Sequence, residues 1–217
     1  MARIWRFMPS CRDAILVPDD PGSEAEAIEV KVDKVVDGDG FMAKAWNGLS
    51  RKWIAQIPFR FAFIDAPELD QPCGPQSRAF LNHLIGGQGL KIFLIGKEST
   101  GFLPLDTYKR VLCMGFLTDH LQPGEISYYR NGACSSGRVR RARPIIRNIE
   151  LEMVVNGWAW VVESYAFERE DEYFAAQDDA RRDRRGLWAL TDPEPPRLFK
   201  RRQRRLRTSE ARQLRLL

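Results

Sequence analysis

Histidine is nearly missing: His83 and His120 are the only two in 217 residues. Cysteine is scarce too. Cys11, Cys73, Cys113 and Cys134 form no Cys-x-x-Cys pair, so tetrahedral zinc sites and dithiol redox centres have too few ligands. Long apolar runs are also lacking. Even the stretch from Met153 to Val162 is broken by Asn156 and Gly157, short of the roughly 20 apolar residues a membrane-spanning helix needs. The expectation is a chain with no membrane span whose scattered thiols suit a reducing, intracellular compartment. The chemistry left to it rests on carboxylates, arginines and a hard metal ion.

Charge is plentiful but uneven. The net charge is +5, yet residues 197–217 carry nine cations and one acid, Glu210, for +8, which leaves −3 on the rest. A second cluster, Arg130, Arg138, Arg140, Arg141, Arg143 and Arg147, lies in a stretch with no acid between Glu125 and Glu150. Two such clusters on a slightly acidic body read as solvated arms able to neutralise phosphates, or simply as solubilising tails. The C-terminal run also reads as a nuclear-import signal. Arg3, Arg6 and Arg12 among Ile4, Trp5, Phe7 and Met8 have the look of an organelle-targeting segment. Nucleus or cytoplasm come first as compartments on this basis, and mitochondrion after them.

The first 27 residues, with Pro9, Pro18, Pro21 and Gly22, read as an N-terminal arm. From Ile28 the texture changes. Residues 28–36, 41–46 and 53–64 are rich in β-formers, and Asn47-Gly48 between the last two is a hairpin signal. Phe80, Leu81, Leu84 and Ile85 then make a helical stripe between Pro75 and Gly86-Gly87. Residues 90–95 and 110–117 read as two more strands. Asn148 is placed to cap a helix that stops at Gly157, and a third helix covers about 168–185, ended by Gly186. Five strands with about three helices packed outside predict a β-dominated α+β fold built on an OB-like barrel. Its limits are 28–190, with an inserted basic loop at about 119–147 and a basic tail from 191 to 217.

Three short segments bear the candidate chemistry. Asp37-Gly38-Asp39-Gly40 at a strand end is either a turn or a source of oxygen ligands for a divalent ion. Arg60 interrupts the hydrophobes Phe59, Phe61, Ala62, Phe63 and Ile64, either as an edge residue that snorkels to water or as part of a site with Asp65 and Glu68. A hairpin centred near residues 49 and 50 puts Asp39 opposite Arg60. Asp106-Thr107-Tyr108-Lys109-Arg110 is either a solvated turn or a loop that holds a phosphodiester, with the Arg110 guanidinium turned inward.

Asp-Gly-Asp, Arg-x-x-x-x-Asp-x-Pro-Glu, Tyr-x-Arg and a terminal Gly-Leu-Trp, in this order with strands between them, resemble the staphylococcal nuclease family over about residues 28–190. The resemblance implies Asp39, Asp65 and the Ala66 carbonyl as ligands of Ca²⁺, ahead of Mg²⁺, with Asp37 behind them. It implies Glu68 as general base and Arg60 and Arg110 as the groups that hold the phosphate. Thr107, Tyr108 and Lys109 border the substrate, and Tyr165 corresponds to the family's base-stacking aromatic. Lys109 stands where the family has the Gly of Tyr-Gly-Arg.

The function expected is metal-dependent hydrolysis of DNA or RNA by a monomer, single strands favoured because an open groove suits a flexible strand. Two other readings compete. One is a nuclease-fold module that binds nucleic acid or serves as a scaffold without chemistry, and the other is purely electrostatic binding through the arginine-rich segments.

Overall fold

In the computed structural model, residues 14–19, 27–96 and 104–214 are described. The organelle-targeting expectation at Arg3 to Arg12 lies outside them. Alternation builds the first long strand after the short β1 (Ile15–Leu16): in β2 (Ile28–Val35), Val30, Val32 and Val35 point inward while Glu29, Lys31 and Asp33 face water. It pairs with β3 (Gly40–Asn47), which pairs with β4 (Lys52–Phe61) across a four-residue connection in which Ser50 N–H donates to Asn47 Oδ1. After the short β5 (Ile64–Asp65) and helix α1 (Gly74–Ile85) come β6 (Gly89–Leu94) and β7 (Val111–Leu121). β7 runs parallel to β4 and antiparallel to β6, and β6 also pairs with β2. These pairings close a five-stranded barrel, the OB-like α+β fold expected.

One detail of register differs from the hairpin expectation. A bulge between Ala43/Ala45 and Ile57/Ile54, with Gln56 at φ 59°, shifts the pairing by one residue. Gly40, not Asp39, therefore lies opposite Arg60, and the Asp39 carbonyl accepts from Phe61 N–H at 2.9 Å.

Residues 119–147, expected as an inserted loop, carry strand. β7 continues to Leu121, β8 (Gly124–Arg130) and β9 (Ala133–Val139) form a hairpin, and β10 (Arg143–Asn148) returns along β7. The hairpin turn is Asn131-Gly132, both at positive φ (52° and 80°), the two-residue geometry that matches strand twist. β1 pairs in parallel with β8, so residues 14–19 of the expected arm lie against the body, with Val17 buried.

Asn148 caps α2 (Ile149–Val155) by accepting from Leu151 N–H at 3.0 Å. β11 (Trp160–Val161) pairs with β5, and α3 (Glu170–Arg182) is followed by a 3₁₀ turn at Gly186–Ala189 that buries Leu187 and Trp188. A fourth helix, α4 (Pro196–Leu214), occupies the segment expected as a basic tail. Among the described residues no helix is long and apolar enough to cross a membrane.

Candidate active site

The site grows from the ends of β2–β4 and the chain that leaves β4. Asp37 and Asp39 sit in the turn between β2 and β3, where Asp39 N–H donates to Asp37 Oδ1 at 3.2 Å. Gly38 is required by close approach, since a Cβ there would meet Ser77 Oγ of α1 at 2.0 Å. The turn is thereby pressed onto α1, and Asp39 is left 5% exposed. Its Oδ2 accepts from Ala66 N–H and from Arg60 Nη2, both at 3.2 Å. The same Arg60 nitrogen donates to Asp65 Oδ1 at 2.9 Å, and Arg110 Nη1 lies 3.9 Å from Asp39 Oδ1. Arg60, Asp39, Asp65 and Arg110 thus meet in one cluster.

Arg110 is aimed by Asp106. Asp106 Oδ2 accepts from Arg110 Nε at 2.8 Å, while Oδ1 accepts the Arg110 and Tyr108 amides at 2.9 and 2.8 Å. Burial works against the Asp106 charge, but these bonds outweigh it and hold its pKa below the usual carboxylate range. Lys109 has φ 61°, a left-handed backbone that costs a non-glycine residue about 1 kcal/mol, which explains why glycine suits this place in Tyr-Gly-Arg. Tyr108 is 70% exposed, with the Arg110 guanidinium 5.5 Å from its ring centre.

Glu68 stands where the chain turns into α1. Its N–H donates to Gln71 Oε1 at 3.2 Å and its carbonyl accepts from Gln71 N–H at 2.9 Å. Gly74 is needed here as well, because a Cβ would come within 1.8 Å of the Glu68 carbonyl oxygen. The Glu68 carboxylate meets Lys200 of α4 at 2.6 Å, and Lys200 Nζ is 3.9 Å from Asp65 Oδ1. Asp37, Asp39, Glu68, Tyr108 and Arg110 line one open cleft of about 990 Å³, with α4 as its other wall. Thr107 and Lys109 are exposed beside Tyr108 and do not line it. Tyr165 does not line it either: its hydroxyl donates to the Ala62 carbonyl and its ring lies 6.5 Å from that of Phe63.

The electrostatics leave negative charge unmet. Burial pushes the Asp39 pKa up to about 6 against the opposing pull of Arg60, with Asp37 adding to the rise. Burial also raises Asp65, and the Asp39 charge adds to it. Burial opposes the Arg60 charge, but Asp39 and Asp65 prevail and its pKa lies above the ordinary value. Its Nε is buried without a partner among the described residues. A buried and a half-buried carboxylate sharing one guanidinium nitrogen fit a hard cation with oxygen ligands. Among the described residues no group of three His, Cys, Asp or Glu is close enough to form a full ligand set, so a cation held by Asp39 and Asp65 would need further oxygens from backbone or solvent.

Sequence reasoning missed three residues. Lys200 lies within a run of arginines, Asp106 within a motif that points to Arg110, and Glu150 within a short helix with no motif of its own. Glu150 is wholly buried on α2, where its Oε1 accepts from Phe63 N–H at 3.0 Å and so braces the chain between Arg60 and Asp65. Burial raises its pKa to about 8. Two carboxyls, Glu150 and Glu152, in the first turn of a capped helix whose other residues are apolar are the available signal.

A closed five-stranded barrel that gathers acids and arginines on one rim beside an open cleft defines an OB-barrel protein with a charged site at the end of its strands. The family described as "Staphylococcal nuclease homologue" matches over residues 58–190, more than half of the chain, and the chain belongs to that family. The match begins within β4, so Asp37 and Asp39 lie ahead of it. The chain is similar to "Probable staphylococcal-like nuclease CAN2" of Oryza sativa subsp. japonica, at 30% identity over 68% of this chain and 30% of that protein. It is also similar to an "Uncharacterized endonuclease" of Haemophilus influenzae, at 28% identity over 80% of this chain and 74% of that one. A third relative, an "Uncharacterized endonuclease" of Escherichia coli, is 26% identical over 81% and 86%. The chain therefore spans under a third of the rice protein's length. Family and relatives together support a nuclease-type function.

Proposed function

We propose that this protein is a divalent-cation-dependent nuclease that hydrolyses phosphodiester bonds of DNA, RNA or both, with single strands preferred. The observation that carries the reading is that the buried Asp39, which lines one open cleft with Glu68 and Arg110, is joined through Arg60 to the half-buried Asp65 just behind that lining. A phosphodiester is anionic and resists attack, so hydrolysis needs positive charge at its nonbridging oxygens and a base for the attacking water. Arg60 and Arg110 hold the oxygens. Glu68 accepts the proton from water. Asp39, Asp65 and the Ala66 carbonyl are the groups to hold a divalent ion, Ca²⁺ ahead of Mg²⁺ because Ca²⁺ tolerates irregular oxygen geometry completed by water. Such an ion, when bound, supplies further positive charge at the phosphate. Tyr108, exposed at the cleft, offers a face on which a base can stack.

The thiols of Cys73, Cys113 and Cys134 are free, which supports an intracellular setting, nucleus or cytoplasm before mitochondrion.

The test is incubation of purified protein with single-stranded DNA and RNA in Ca²⁺, Mg²⁺ or chelator. Cleavage in Ca²⁺ that is lost with chelator and in Glu68→Gln is expected; cleavage indifferent to chelator overturns the reading. A second reading, strand binding without cleavage, draws on the 2.6 Å contact that places Lys200 on the proposed base. It requires tight binding and no cleavage in either ion.

A further inference from the structure

The fourth helix is one wall of the cleft, and only one of its faces takes part. Lys200, Gln203, Arg204, Arg207 and Thr208 line the cleft, spaced i, i+3, i+4, i+7 and i+8, which is a single helical stripe. The helix is held against the body at its start. Phe199 is buried, Arg202 makes a two-point ion pair with Glu194 at 3.1 and 2.7 Å, and the Glu194 carbonyl accepts from Gln71 Nε2. Arg197 adds an ion pair with Glu163 at 3.1 Å. The stripe therefore stands in a fixed place relative to Arg110 and Glu68, unlike cations on a free tail. Within it Lys200 is engaged by Glu68. Arg204 and Arg207 are exposed, and neither makes an ion pair with a described residue.

We propose that Arg204 and Arg207 bind phosphates that flank the scissile one, so that α4 extends the cleft's hold on a strand over several nucleotides. This rests on the nuclease reading and adds a second set of phosphate contacts to the same cleft. At about 1.5 Å per residue, Lys200 and Arg207 lie about 10 Å apart along the helix, the length of roughly three stacked nucleotides at about 3.4 Å each. A strand whose reacting phosphate lies between Arg60 and Arg110 then passes its next phosphates along α4. Guanidinium groups suit this role because they meet phosphate oxygens with paired donors.

The experiment uses the full chain and a fluorescein-labelled ten-nucleotide thymidine oligomer, with binding measured in chelator against salt concentration. Each lost phosphate contact on a single strand lowers the slope of log K against log salt by about 0.7. The double variant Arg204→Ala/Arg207→Ala should therefore lose about 1.4 from the slope. The charge-matched control Arg201→Ala/Arg205→Ala, on residues outside the cleft, should lose less than half of that. Equal losses in the two variants overturn the proposal, because the helix then acts as diffuse charge. In Ca²⁺, kcat/KM for the oligomer divided by kcat/KM for bis(4-nitrophenyl) phosphate should fall at least tenfold in Arg204→Ala/Arg207→Ala, and an unchanged ratio overturns the proposal. If no protein cleaves either substrate while the slopes differ as expected, the nuclease reading fails and the phosphate-binding face of α4 stands.

Discussion

Two clusters of arginine and carboxylate, built from the same residue types, stand at different places in this molecule. In the first, Arg147 of β10 donates from Nε and Nη2 to the two oxygens of Glu152 at 2.9 and 2.7 Å, and from Nη1 to Asp119 at 2.6 Å. Glu152, fully buried on α2, also accepts from Val17 N–H at 2.9 Å. Burial opposes the Arg147 charge, but Glu152 and Asp119 hold it on. In the second cluster Arg60 leaves its Nε unpartnered, and one of its nitrogens serves both Asp39 and Asp65. Those carboxylates repel one another, and Asp39 lines an open cleft. A cluster whose valences are filled from within fastens the fold, whereas one with unfilled valences beside solvent has capacity for a ligand. Residue type cannot distinguish the two; only the count of satisfied donors and acceptors does.

The contrast is broken most strongly by removing one partner from the filled cluster. Glu152→Ala strands a buried guanidinium and orphans the Val17 amide, so a loss of about 3–5 kcal/mol is expected in urea unfolding. The cleft should answer with activity instead. Arg110→Ala or Glu68→Gln is expected to lower the cleavage rate on the order of 100- to 1000-fold while stability stays within about 1 kcal/mol of the parent. A cleft variant that unfolds as readily as Glu152→Ala would place both clusters in the structural class.

pH sharpens the comparison next, through the buried carboxyl between the two regions. Glu150 receives the Phe63 amide and faces Asp39, Cys113, Tyr165 and Tyr173. Its folded pKa of about 8 lies above the reference value of 4.5. Its contribution is therefore fully present below the unfolded pKa and lost as pH rises through the folded one, at up to about 1.4 kcal/mol per pH unit. Glu150→Gln keeps the carbonyl acceptor and removes the titration. Thermal unfolding in chelator between pH 6.5 and 8, above the Asp39 pKa of about 6, should show a decline in the parent and a flatter profile in the variant. Parallel profiles would mean that Glu150 ionises in the folded chain much as it does in the unfolded one.

How much of this could be read from residues alone depends on the range of the interaction. Alternating valines, the Asn148 cap and the glycines that end helices are local signals, and the barrel and its first three helices follow from them. The segments with candidate chemistry were visible because Asp-Gly-Asp and Asp-Ala-Pro-Glu sit where strands end. The hairpin at Asn131-Gly132 carried the same dipeptide as Asn47-Gly48, but the surrounding Gly124, Gly137 and Ser135-Ser136 obscured its strands. The bulge at Gln56 had no local mark, since a glutamine seldom adopts φ 59°. Lys200 lay furthest beyond reach. Its partner Glu68 is 132 positions earlier in the chain, and a lysine within a run of arginines says nothing about which one turns inward.

That contact yields the smallest and most discriminating of these effects. Lys200 Nζ meets Glu68 at 2.6 Å and lies 3.9 Å from Asp65, so an ammonium already occupies the face of the two carboxylates at which a divalent ion is expected to arrive. Burial opposes the Lys200 charge, yet the bond to Glu68 and the field of Asp65 hold it above its ordinary pKa. Both side chains are about a third exposed, and solvent screening limits such a pair to about 1 kcal/mol or less. Lys200→Ala should accordingly lower the Ca²⁺ concentration for half-saturation by up to about fivefold, read by titration calorimetry without substrate. Lys200→Arg should restore the parent value. If the ammonium instead only positions Glu68, Ca²⁺ affinity will be the same in all three proteins and the change will appear in the pH dependence of cleavage alone.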